Sequence, residues 1–237
     1  MRWRFRDGVS APAQAKVGAR PQPSTIRTMP HRLPLLILTL TSALASTLLI
    51  SGCGGGPQLP PLADDAVVLA FGDSLTRGTG AKDAESYPAV LAPATGLTIV
   101  NAGIPGEESD AGLARLPDLL VEEQPDLVIL GHGGNDLLRK RDLNLTKANL
   151  RQMIELAQAS GASVMLIGVP KPGLFIGTHP LYRELAEAEG IPVEDEALAD
   201  ILSDPDLKSD AIHPNAAGYA ELAAAIHALL RRTGALD

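Results

Sequence analysis

Five short apolar runs constrain this chain more than any other feature. They are AVVLAF (66–71), LTIVN (97–101), DLVILG (126–131), SVMLIG (163–168) and a shorter IPV (191–193). Four are aliphatic or β-branched without polar alternation, the pattern of strands covered on both faces. The stretches between them are helical in period. Leu143, Leu150, Met153, Ile154 and Ala157 fall on one face, as do Tyr219, Leu222, Ala223, Ile226 and Leu230. Strand–helix alternation through short loops predicts an α/β fold over residues 66–237, a three-layer α/β/α sandwich around a mostly parallel five-stranded sheet.

In such sheets ligands bind beyond the carboxyl ends of the strands, so the residues there carry information. The first run is followed by GDS (72–74), the second by NAGIPGEES (101–109) and the third by GHGGND (131–136). Each joins glycine, which lets backbone N–H groups approach a ligand, to polar side chains. Ser74 taken alone reads equally as a nucleophile or as a turn serine at a strand exit. Three such loops at successive strand ends point to one shared site.

Near the C-terminus, SDAIHPNAAGY (209–219) sets Asp210 three residues before His213. On a turn, that spacing lets a carboxylate accept from imidazole Nδ1–H and frees Nε2 to act as a base towards a hydroxyl. The bland alternative makes Asp210 and Asn215 helix caps and His213 a surface histidine. It does not account for Ser74, the glycine loops and Asn135 together.

With these blocks in order, the chain resembles the GDSL, or SGNH, hydrolase family. The blocks are Gly72-Asp73-Ser74, Gly103 within NAGIPG, Gly133 to Asp136, and Asp210 to His213, and the likeness extends over essentially all of residues 66–232. The segments GLARLPDLL, GGNDLLR and DAIHPNAAGY are similar to the bacterial thioesterase I/lysophospholipase L1/arylesterase branch. The resemblance implies a flavodoxin-like sandwich with Ser74 as nucleophile, His213 as general base and Asp210 as its orienter. It implies an oxyanion hole made by the N–H groups of Ser74 and Gly103 and the side-chain amide of Asn135. Serine needs such a base, and the developing oxyanion such donors. The absence of G-x-S-x-G excludes the α/β-hydrolase nucleophile elbow.

Other polar residues take plainer readings. Asp73 and Asp136 are expected to hydrogen-bond loop backbone. His132 lies in the third loop, where Asn135 is the better placed donor, and His179 and His227 have no partner visible in sequence. No His–carboxylate or Cys–His spacing fits a metal, and no Walker-type loop or dinucleotide fingerprint occurs, so no cofactor is expected.

The N-terminal region differs in kind from the rest. The first 52 residues hold seven of the 20 basic residues but one of the 28 acids, Asp7, leaving a formal net charge of −14 from Cys53 onward. Such a surface disfavours nucleic acid and anionic bilayers as partners. LPLLILTLTSALASTLLIS (33–51) has the length of a membrane span but ends in Ile50-Ser51-Gly52-Cys53. It resembles a bacterial lipoprotein signal whose lipidated cysteine would be Cys53, the single cysteine of the chain. Residues 1–52 are then a leader, with Met29 as the expected start, and residues 53–65 a Gly/Pro-rich tether. The expected place is the bacterial cell envelope, lipid-anchored on the periplasmic side, with Gly54 favouring the outer membrane.

From Cys53 onward there are five aromatic residues, Phe71, Tyr87, Phe175, Tyr182 and Tyr219, which argues against a carbohydrate cleft. Leu174, Phe175 and Ile176 stand together after the fourth strand and, with Ile104, are candidates to hold an acyl or aryl group. The expected activity is a serine esterase acting on small acyl esters. The alternatives are a lysophospholipase acting on lysolipid, an acyl-thioesterase, or a non-catalytic envelope lipoprotein on the same fold.

Overall fold

A computed structural model describes residues 56–171 and 177–237. The strands are β1 (Val67–Gly72), β2 (Thr98–Gly103), β3 (Leu127–Gly131), β4 (Ser163–Ile167) and the two-residue β5 (Val193–Glu194). They form one sheet in the order β2-β1-β3-β4-β5, and every pairing is parallel. The α/β reading of the five apolar runs therefore holds, with each strand within two residues of its run.

The chain leaves β1 for the edge at β2, then crosses back over β1 to β3. That reversal opens a crevice above β1 and β3, where open α/β sheets take their ligands. The register lines up the ends of all three strands, with Gly72 beside Gly103 on one side and Gly131 on the other.

Helices cover both faces. On one, α2 (Tyr87–Thr95) packs against α8 (Ala216–Arg232), which also meets α7 (Ala197–Ser203). On the other, α5 (Leu143–Ala159) lies between α3 (Ser109–Glu123) and α6 (Pro180–Glu189). Local chemistry sets the helix starts. Asp142 accepts from the Asn144 N–H at the head of α5, and Asn215 accepts from the Gly218 N–H at the head of α8. The predicted apolar face of α8 is buried throughout.

Three expectations need correction. Strand β2 is half-exposed rather than covered on both faces, because it is an edge strand. Leu143 opens α5 and stays 45% exposed, while burial on that helix begins one turn later at Thr146. The tether expected over 53–65 is shorter than that. Leu59 is buried, its N–H donates to Thr233 O at 2.8 Å, and the Leu62 N–H donates to Ala235 O at 2.9 Å. Residues 59–65 therefore belong to the domain, tied to the end of α8. Cys53, Gly54 and the apolar segment 33–51 lie outside the described residues, among which no helix is long and apolar enough to cross a membrane.

Candidate active site

The turn after β1 is built tightly. A Cβ on Gly72 would lie 2.1 Å from Gly131 O, so only glycine lets β1 and β3 end side by side. Asp73 then caps the one-turn helix α1 (Ser74–Arg77), accepting from the Leu75 N–H at 3.0 Å. Gly78, with φ of 91°, stops that helix after four residues. Ser74 is thereby held at the first helical position above the crevice. Its own N–H is among those a helix start leaves unpaired, and it has no partner among the described residues.

The structure brings Ser74, His213 and Asp210 into one hydrogen-bonded chain. His213 Nε2 lies 3.0 Å from Ser74 Oγ, and His213 Nδ1 lies 2.8 Å from Asp210 Oδ2. The other Asp210 oxygen accepts from the N–H groups of Ile212 (2.8 Å) and His213 (2.9 Å), which folds residues 210–213 into a compact turn. Burial works against the Asp210 carboxylate, but the His213 hydrogen bond and the Ile212 N–H outweigh it and hold its pKa below the ordinary value. An ionised Asp210 fixes the His213 proton on Nδ1 and turns the Nε2 lone pair towards the serine hydroxyl. This last segment is tied to the loop after α1, since the Tyr219 hydroxyl donates to Thr79 O at 2.8 Å.

Asn135 opens towards the same crevice from α4 (Gly134–Leu138). Its Nδ2 donates to Asp73 Oδ2 at 3.2 Å and to Glu107 O at 3.0 Å. Gly103, expected as the second backbone donor, is otherwise engaged. It is the last residue of β2, its N–H donates to Asn101 Oδ1 at 3.0 Å, and a Cβ there would lie 2.2 Å from Arg77 N. It is a packing glycine. Gly106, three residues on, has φ of 79°, an N–H without a partner among the described residues, and a chain neighbour, Glu107, whose carbonyl binds Asn135.

A cavity of about 290 Å³ opens over Ser74, Asn135 and His213. Its remaining wall is mostly apolar, formed by Leu75, Leu138, Val169, Pro170, Leu202 and Ile212, with Lys171 at the edge. One expected pocket residue, Ile104, does not line it. Ile104 is 44% exposed and off the lining, because its N–H is bonded to Gly72 O beyond the end of β2. Leu174, Phe175 and Ile176 lie outside the described residues. Leu138 and Ile212 were visible in sequence as the apolar neighbours of the Asn135 and His213 blocks, and that adjacency is the signal that identifies them.

Asp73 and Asp136 bind the surrounding loops. Asp136 accepts from the Ser109 N–H (2.9 Å), Ser109 Oγ (2.6 Å) and Thr146 Oγ1 (3.3 Å), tying the third loop to α3 and α5. Asp73 is buried, which pushes its pKa up. His179 caps α6 through Nδ1, and burial lowers its pKa. His227 is half-buried on α8. Among the described residues, no group of three or more His, Cys, Asp or Glu side chains is arranged to hold a metal ion.

Residues 70–221 match the GDSL-like lipase/acylhydrolase family. An esterase of Pseudomonas aeruginosa, TesA, is 38% identical over 130 residues, covering 53% of this chain and 65% of that protein. The Escherichia coli protein named thioesterase 1/protease 1/lysophospholipase L1 is 31% identical over 189 residues, covering 76% of this chain and 81% of that one. Among solved structures, that of TesA superposes with a TM-score of 0.65 at 30% identity, covering 70% of this chain and 99% of that chain.

Proposed function

The chain belongs to the GDSL-like lipase/acylhydrolase family, and on that premise we propose that it is a serine esterase that cleaves small acyl esters through an acyl-enzyme. The observation that carries this reading is the Ser74–His213–Asp210 hydrogen-bonded chain, set beneath an apolar cavity of acyl-group size. Ser74 Oγ attacks the ester carbonyl while His213 Nε2 takes its proton. The imidazolium so formed is stabilised by Asp210 and protonates the leaving alcohol. Water then attacks the acyl-enzyme by the same route, and Ser74 is regenerated.

The tetrahedral oxyanion accepts from the Ser74 N–H, from Asn135 Nδ2 and from a second backbone N–H. Gly106 supplies that last donor in preference to Gly103, whose N–H is occupied. Asn135 is aimed before substrate arrives, and the oxyanion takes over the longer of its two bonds, the one to Asp73. The acyl portion lies against Leu138, Val169, Leu202 and Ile212. Lysophospholipids and acyl thioesters present the same carbonyl with different leaving groups, and the name of the E. coli relative covers both. The presence of Ser74, His213, Asp210 and Asn135 together favours this reading over the non-catalytic one.

The test is a rate profile across p-nitrophenyl esters of two to twelve acyl carbons, with acyl-CoA thioesters and lysophosphatidylcholine alongside. Short and medium esters are expected to be fastest, and Ser74→Ala should lower kcat by about 10³–10⁶-fold on every substrate cleaved. Wild-type rates in Ser74→Ala would refute the proposal.

The same proposal includes a membrane anchor. The Ile50-Ser51-Gly52-Cys53 pattern after an apolar segment supports lipidation of Cys53 and a place on the periplasmic side of the bacterial envelope. Because Leu59 is already docked, the free spacer is about five residues, or roughly 15 Å if extended. The domain would then ride close to its bilayer.

A further inference from the structure

Three ionisable side chains lie under the strand ends and take no part in the proton transfers above. Glu107, its side chain 7% exposed, accepts from Arg115 Nε at 2.8 and 2.9 Å and from Arg115 Nη2 at 2.7 Å. His132, fully buried, lies with Nε2 3.1 Å from Glu107 Oε2, while its Nδ1 accepts from the Gly133 N–H at 2.9 Å. With Nδ1 used as an acceptor, the imidazole proton sits on Nε2 and points at the carboxylate. Arg115 Nη2 also donates to Ala102 O (2.8 Å) and Gly72 O (3.2 Å), and its guanidinium lies 4.1 Å over the Phe71 ring. One arginine thus touches the ends of β1 and β2 together with the loop that follows β2.

A group of this kind is a poor way to gain stability, since apolar side chains of equal volume do as well or better in a buried position. What it does is fix one peptide. The Glu107 side chain is held from two directions, and the carbonyl of the same residue accepts from Asn135 Nδ2. Burial works against the Glu107 carboxylate, but hydrogen bonds from His132 and Arg115 outweigh it and keep its pKa below the ordinary value. The fold also makes room for the arrangement. A Cβ at Gly112 on α3 would lie 2.4 Å from His132 Nε2, so a helix that would gain from alanine there keeps glycine.

We propose that Glu107, clamped by Arg115 and His132, is a positioning residue that holds the Asn135 amide in its oxyanion-binding orientation. The inference rests on the reading of Asn135 as an oxyanion donor. Releasing the Glu107 side chain lets its carbonyl drift, and the Asn135 amide drifts with it. Ångström-scale misplacement of such a group costs about 10²-fold in rate.

The experiment measures kcat and KM on p-nitrophenyl butyrate for Glu107→Ala, Glu107→Gln and His132→Leu. Each is made in the wild-type and Asn135→Ala backgrounds, with thermal melts to follow folding and Ser74→Ala as the reference for the esterase itself. In the wild-type background Glu107→Ala should lower kcat about 10–100-fold with KM within about twofold, and His132→Leu about 3–10-fold. Glu107→Gln, which keeps an acceptor and the shape, should recover most of the loss. In the Asn135→Ala background none of the three should lower kcat by more than about threefold further. Equal factors in both backgrounds, effects confined to KM, or wild-type kcat in His132→Leu would overturn the proposal while leaving the esterase reading intact. His132→Leu keeps the test decisive should Glu107→Ala fail to fold. Wild-type kcat in Asn135→Ala alone would overturn both the oxyanion role of Asn135 and this proposal, and inactive Ser74→Ala would still identify the nucleophile.

Discussion

At the residue scale, two carboxylates beside one serine have opposite electrostatic settings. Asp73 and Asp210 both lie near Ser74, yet burial raises the pKa of one, and hydrogen bonds outweigh burial to lower that of the other. Only Asp210 faces an imidazole nitrogen. Replacing it with asparagine removes the charge that fixes the His213 tautomer, and kcat on p-nitrophenyl butyrate should fall about 10²–10⁴-fold with the fold intact. Glu107 gives a stability signature. Its folded pKa lies below its unfolded value, so its ionised form stabilises the fold above the ordinary glutamate pKa of about 4.3, and that contribution is lost as pH falls through the lower folded value. The melting temperature of wild type should exceed that of Glu107→Gln at pH 7, and the gap should close on acidification below about pH 4.3. A gap independent of pH would assign the effect to shape rather than charge.

At the element scale, the strands were legible because runs such as LVILG are buried along their whole length, and burial of that kind leaves a continuous apolar signature. The edge position of β2 was not, since strand order comes from the crossovers rather than from the run itself. Ser74 and Asn135 were legible because they stand two and four positions past β1 and β3, and Asp210 and His213 because of their three-residue spacing ahead of α8. The Arg115–Glu107–His132 group was hidden, because its partners are 8 and 25 residues apart and meet only when α3 passes beneath the loops. Gly103 misled for a related reason, as two glycines stand three residues apart at the end of β2, and only packing and hydrogen bonding in the fold separate the packed one from the open one. Two apolar wall residues of the cavity, Leu138 and Ile212, come from the segments that carry Asn135 and His213, so selectivity should follow them. Leu138→Ser with Ile212→Ser should lower kcat/KM for an octanoyl ester about 10-fold or more while changing acetyl ester turnover little, as about 1–3 kcal/mol of apolar contact is lost per side chain. Equal losses on both esters would remove these residues from the acyl site.

At the scale of the whole molecule, Ser74, Asn135 and the Asp210–His213 pair come from three distant parts of the chain, the segments after β1 and β3 and the one before α8, which the parallel sheet gathers at the carboxyl ends of its strands. The opposite end holds the chain's entry, where Leu59 and Leu62 are tied to the residues that follow α8. A lipid on Cys53 would therefore act on the whole domain through a short spacer. An alkyne-palmitate label supplied to expressing bacteria should appear on the wild-type protein and vanish in Cys53→Ser, which should also leave the membrane fraction. Labelling that persists in Cys53→Ser would contradict the anchor. The proposed chemistry starts from one hydroxyl, that of Ser74. The most direct measurement is to treat the folded protein with a fluorophosphonate and locate the adduct by peptide mass spectrometry. A single adduct on Ser74, abolished in Ser74→Ala and slowed severely in His213→Ala, is the predicted result. An adduct on any other residue, with esterase activity lost in step with it, would contradict it.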